Sequence, residues 1–163
     1  MAKRAPSFSH IHIRPGGLDD LDEVMRIMGG AFRPCFGEGW SRSQCAGILP
    51  MSGVTLTIAE NDEGAIGFSL ARAVSDEAEL LLIAVDPDRQ GGGAGSALLQ
   101  HFIADARAGG AHRLHLEVRD GNPAVGLYHA SGFVPAGRRR NYYRGPEGER
   151  YDAVTLMLID QTP

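Results

Sequence analysis

The stretch from Leu80 to Gln100 constrains this chain more than any other: an apolar run to Val85, the break Asp86-Pro87, glycines at 91, 92, 93 and 95, then an apolar-periodic segment. That order reads as a strand entering a helix through a glycine turn. It places unpaired backbone N–H groups at a helix N-terminus, at the end of a strand. Amide donors and the positive end of the helix dipole both favour an anion there. The stretch therefore predicts a site for a phosphorylated cofactor.

The segments around it set the fold class. Residues 8–14 alternate and read as a first strand, ended by Pro15-Gly16-Gly17. Leu18, Leu21, Met25, Met28 and Phe32 form an apolar stripe at helical spacing, with Asp19, Asp20, Asp22 and Glu23 at its start. A turn-rich loop over 33–40 carries the only tryptophan, Trp40, which either lines a substrate mouth or caps the core. Ser41 is the N-cap of a short helix over 42–48. Strands over 54–60, 65–72 and 78–85 follow with short turns between them, an antiparallel meander. A helix over 93–108 leads to a strictly alternating strand over 112–119. Its Leu114, Leu116 and Val118 face one way; Arg113, His115, Glu117 and Arg119 face the other. A helix over 123–130 and strands over 133–140 and 151–159 complete the chain. The expectation is a single α/β (α+β) domain spanning 1–163, residues 1–8 flexible, with a mixed, mostly antiparallel sheet of about six to seven strands and about four helices.

Composition excludes several functions. The net charge of −4 gives no basic footprint for a nucleic-acid partner, although Arg138-Arg139-Arg140 is a local exception. No run approaches the roughly 20 apolar residues of a membrane span, and the N-terminus has no signal-peptide apolar core. Cys35 and Cys45 make no CxxC pair and read as reduced thiols, in keeping with a cytoplasmic protein. His10 with His12, and His112 with His115, lack further ligands at metal spacing, so no metal is expected.

Three glycine-rich motifs compete for the phosphate site. A Walker A loop needs a lysine, and none lies near the run; a dinucleotide fingerprint needs a third glycine where Ser96 stands, and alternating βαβ units upstream. Gln90-Gly91-Gly92-Gly93-Ala94-Gly95 instead fits Q/R-x-x-G-x-G/A, preceded by Val85-Asp86-Pro87 and followed downstream by Leu127-Tyr128-x-x-x-Gly132-Phe133. This resembles the GNAT superfamily of acetyl-CoA-dependent N-acetyltransferases, over nearly the whole chain. Leu116-Glu-Val-Arg119, Asn122, Arg139-Arg-Asn-Tyr-Tyr143 and Trp40-Ser41 are most similar to its ribosomal-protein-alanine N-acetyltransferase group.

The resemblance implies that Ile83, Ala84 and Val85 lend backbone groups to the acetyl-pantetheine arm of acetyl-CoA. Gln90, Gly91, Gly92, Gly93, Ala94, Gly95 and Ser96 would form the pyrophosphate turn, and Asn122 would contact the cofactor. It makes Glu117 the general base, directly or through water, and Tyr128 the general acid; Glu117 otherwise reads as a solvated carboxylate paired with Arg119 or Arg113, and Tyr128 as core filler. Two departures stand out. Gly91 and Gly92 replace basic or polar residues common in relatives, and the spacing from Asn122 to Tyr128 is one residue shorter than usual. Trp40, Arg139, Tyr142 and Tyr143 are the candidate acceptor walls. The implied acceptor is a peptide or protein N-terminus, such as a ribosomal-protein alanine, on a monomer or homodimer. A small amine (antibiotic, polyamine or amino acid) and a non-catalytic acetyl-CoA sensor are the alternatives.

Overall fold

The computed structural model describes residues 10–159. Among the described residues, seven strands form one sheet: β1 (His12–Pro15), β2 (Val54–Asn61), β3 (Gly64–Val74), β4 (Glu77–Val85), β5 (Arg113–Arg119), β6 (Val134–Arg144) and β7 (Arg150–Ile159). Four helices accompany them, α1 (Leu21–Ala31), α2 (Arg42–Ile48), α3 (Ala94–Ala108) and α4 (Val125–Ala130). The spatial order is β1-β2-β3-β4-β5-β7-β6. Neighbours run antiparallel except β4 and β5, which are parallel because α3 carries the chain back between them. The mixed, mostly antiparallel sheet and the four helices are as expected from sequence. Residues 1–9, with the expected flexible start and Phe8 of the first strand, lie outside the described residues.

Helices cover both faces. Leu21, Val24, Ile27 and Met28 of α1 pack with Leu56, Ile58, Phe68 and Leu70 on one side. On the other, Leu99, Phe102 and Ile103 of α3 pack with Leu114, Leu116 and Leu156, joined by Tyr128 of α4 and Phe133. The stripe expected to begin at Leu18 is corrected here. Leu18 lies in a 3-10 turn and is 55% exposed, and Met25 and Phe32 are half-buried. Three residues per turn before α1, instead of 3.6, rotate the later apolar positions out of phase with Leu18.

One irregularity opens the sheet. In β4, Leu82 pairs with Leu70 and Leu80 with Ala71, so Leu81 is an extra, bulged residue. Pairing with β5 ends at the same place, the last pair being Leu80 with Leu116. The bulge also switches faces: Ala78 and Leu80 belong to the α3 side of the core, Leu82 and Ala84 to the α1 side. A bulge bends and twists its strand, and one inserted residue reverses the inward set. Beyond Leu80 and Leu116, β4 and β5 separate.

Candidate active site

The separation of β4 from β5 forms the floor of a cleft of about 1070 Å³. That is at the upper end of the roughly 300–1,000 Å³ found for small-molecule sites. Ile83, Ala84 and Val85 line it on β4, Glu117 on β5 and Tyr128 on α4. At one end stand Gln90, Gly91 and the start of α3, at Gly93, Ala94, Gly95 and Ser96. Gly92 is exposed and is not part of the lining.

The glycine turn is built by backbone conformation. Gly91 has φ +83° and Gly93, the residue capping α3, has φ +94°. A side chain at either position would meet no neighbour, so the constraint is the left-handed backbone and not space. No side chain caps α3. Its first N–H groups have no intrahelical partners and stand at the cleft, a ready donor set for an anion. Ahead of the turn, Asp86 accepts from the Asp88 amide (3.0 Å) and from Arg26 (2.9 Å), which hold its carboxyl below the usual carboxylate range. The Gln90 amide folds back to donate to the Val85 carbonyl (3.3 Å).

The expected base and acid both line the cleft. Glu117 pairs through Oε1 with Arg139 Nε at 2.9 Å, and its Oε2 is buried with no hydrogen-bond partner among the described residues. Its partner is thus neither Arg113 nor Arg119. Tyr128 is 5% exposed and sits edge-on to Phe133, with ring centroids 6.1 Å apart. Burial, and secondarily the Glu38 carboxylate, push its phenol well above the ordinary tyrosine value. Tyr128 is therefore core and cleft wall at once.

Trp40, Tyr142 and Tyr143 line the cleft as well, and Trp40 also packs on the α1 core. Arg139 is 63% exposed, outside the lining, and lies against Glu117. β6 extends past the expected Arg140 to Arg144. Asn141, at φ +56°, breaks its pairing with β7 and is held by the Asp152 carboxylate (3.0 Å). Tyr143 follows that irregularity and donates to the Glu117 carbonyl at 3.2 Å. Burial raises its phenol above the ordinary value, with Glu38 the next contributor.

Two residues escaped the sequence reading. Arg119, expected on the polar face, is 8% exposed, because Glu38 from the 33–40 loop reaches it at 2.9 Å. Glu38 also accepts from Asn122 Nδ2 at 2.6 Å. These partners are 81 and 84 residues apart in sequence, so no local pattern marks them. The described residues contain no cluster of three or more His, Cys, Asp or Glu side chains placed for a metal, and no helix long and apolar enough to cross a membrane.

A strand that bulges open beside a glycine turn into a helix frames the cleft, and the class of protein that carries it is given by comparison with known proteins. Residues 21–133 match the family model "Acetyltransferase (GNAT) family". The chain belongs to that family and is an acetyl-CoA-dependent N-acetyltransferase. Within it, the chain groups with the ribosomal-protein-alanine N-acetyltransferases. The [ribosomal protein bS18]-alanine N-acetyltransferase of Escherichia coli K12 is 40% identical over 120 residues, covering 73% of this chain and 80% of that one. The crystal structure of the Escherichia coli ribosomal-protein-S18-alanine N-acetyltransferase superposes with a TM-score of 0.83 at 33% identity, over 94% of this chain and 96% of that one. The protein yncA of Salmonella typhimurium, solved with acetyl-CoA, shares the fold at 20% identity (TM-score 0.73, 93% and 95% coverage).

Proposed function

We propose that the protein transfers the acetyl group of acetyl-CoA to the α-amino group of a protein whose first residue is alanine. Glu117 serves as base and Tyr128 as acid. The observation that carries this reading is Glu117 Oε2, buried in the cleft wall without a donor. Leaving such an oxygen unsatisfied costs about 1–3 kcal/mol or more, a cost that the N–H of a docked amine removes.

The residues present fit acetyl-CoA, which supplies the acetyl group as a thioester. Past Leu80, the backbone groups that β4 no longer shares with β5 are free to pair with an extended amide-bearing arm, as an added strand would. The amides of Gly93 to Ser96 would hold the pyrophosphate. An α-amino group titrates at about 7.7–8.0, so much of the acceptor arrives as ammonium and must lose a proton before it attacks. Glu117 takes that proton. Tyr128, kept protonated by burial, gives its phenolic proton to the departing sulfur. Trp40, Tyr142 and Tyr143 are apolar-bodied walls suited to flank a peptide, and the protein substrate in the Escherichia coli relative's name supports that choice.

The test is an acceptor screen with free-thiol release as readout. An alanine-starting peptide is expected to be acetylated, while its N-blocked form, a blocked lysine peptide and small amines are not. Turnover confined to a small amine, or none with the peptide, would overturn the reading.

A further inference from the structure

The family resemblance implies that Asn122 contacts the cofactor; Asn122 lines the cleft, and its side chain is engaged within the fold. The amide group of Asn122 donates to Glu38 Oε2 (2.6 Å), and its oxygen accepts from the Ala124 N–H (2.8 Å). Ala124 is the residue that caps α4. One turn further, the Tyr128 N–H bonds to the Ala124 carbonyl (3.3 Å). The other oxygen of Glu38 accepts from Arg119 Nε at 2.9 Å. Arg119 stands two residues after Glu117 on β5, and its guanidinium lies 3.7 Å over the Phe36 ring. Glu38 and Arg119 side chains are only 9% and 10% exposed. One carboxylate from the 33–40 loop thus grips the strand that carries Glu117 and the turn that starts the helix carrying Tyr128.

We propose that Glu38 is a positioning residue: through Arg119 and Asn122 it fixes Glu117 and Tyr128 relative to each other and to the acceptor-side loop. The short spacing between Asn122 and Tyr128 fits this role. Asn122 is spent on docking the loop and on starting α4, and both of its polar side-chain atoms are already engaged. A helix of six residues with no side-chain cap of its own at Ala124 has little else to set its start. The loop is also held by close backbone contact. A side chain at Gly37 would collide with the Arg144 carbonyl, and one at Gly145 with the Cys35 carbonyl. The acceptor wall and the catalytic pair form one unit.

The test compares Glu38→Gln, Asn122→Ala and the double variant, with an alanine-starting peptide as acceptor. Kcat, the Kd for acetyl-CoA by Trp40 fluorescence and thermal melting are measured on each. Each single change is expected to lower kcat about 10–100-fold while the acetyl-CoA Kd stays within about twofold. The double variant is expected to be no slower than the slower single, because both changes cut the same link. Asn122→Ala that weakens acetyl-CoA binding but keeps kcat, losses that multiply in the double variant, or lowered melting with normal kcat would each overturn the proposal. Glu38→Gln leaves the Arg119 charge buried without its counter-charge. If it does not fold, Asn122→Ala decides by the same split. The inference rests on Tyr128 as proton donor, and Tyr128→Phe separates the two. Normal turnover in Tyr128→Phe removes that reading. Lost turnover there, with normal turnover in Asn122→Ala, overturns only the clamp.

Discussion

The two ends of the cleft are built by different means. The end proposed for the acetyl donor, from Val85 through Ser96, is contiguous in sequence and presents mostly backbone: two glycines at positive φ, a helix start and a strand edge. The end proposed for the acceptor gathers the 33–40 loop, the end of β5, the start of α4 and the irregular part of β6, held by side chains far apart in sequence. A backbone site depends on conformation and tolerates many side chains. A site held by buried charge and hydrogen bonds fails when a single partner is removed. Under the proposed function, selectivity for the acceptor is thus concentrated where few local signals exist.

Substitutions at each end are expected to separate cleanly, and a crossed effect would break the comparison. Glu117→Gln has the largest expected effect: turnover falls by roughly 10²–10⁴ with the acetyl-CoA Kd unchanged, measured by steady-state kinetics and calorimetry. Tyr128→Phe comes next, slowing thiol release about 10²-fold in a pre-steady-state assay.

Smaller effects sharpen the division. Gly93→Ala forces a side chain into the left-handed region, a strain of about 1–2 kcal/mol, and so weakens acetyl-CoA binding up to about tenfold while the peptide KM holds. Gly37→Ala pushes the loop off Arg144, so the peptide KM rises severalfold and the acetyl-CoA Kd holds. The smallest effect is on alkaline stability. Tyr128 and Tyr143 keep their protons in the fold beyond the ordinary tyrosine value of 10.0, at which the unfolded chain releases them. Their contribution is complete below that value and declines as pH rises above it, so denaturant midpoints should fall in that range. Glu38→Gln removes a carboxylate that raises both phenols and should soften the decline.

Local pattern carried the element order a long way. The helix expected over 93–108 forms as α3, with Leu98, Leu99, Phe102, Ile103 and Ala106 buried, and Ser41 caps α2 by accepting from the Gln44 N–H at 3.1 Å. Where reading failed, something non-local intervened. The α1 stripe lost phase to a 3-10 turn, and Arg119 turned inward to meet a carboxylate from another element. Leu81 sits in an unbroken apolar run, so its bulge left no trace in the alternation.

The sequence by itself determined the glycine turn ahead of α3, because positive-φ glycines before a helix state their conformation locally. It also placed Glu117 and Tyr128 on their elements, through period-two and helical patterning. Only the tertiary structure decided how those elements meet. The bulge at Leu81 opens the cleft, Arg139 takes one oxygen of Glu117, and Glu38 joins β5 to α4. Each of these is a pairing across the fold, and a pairing energy belongs to two distant positions at once.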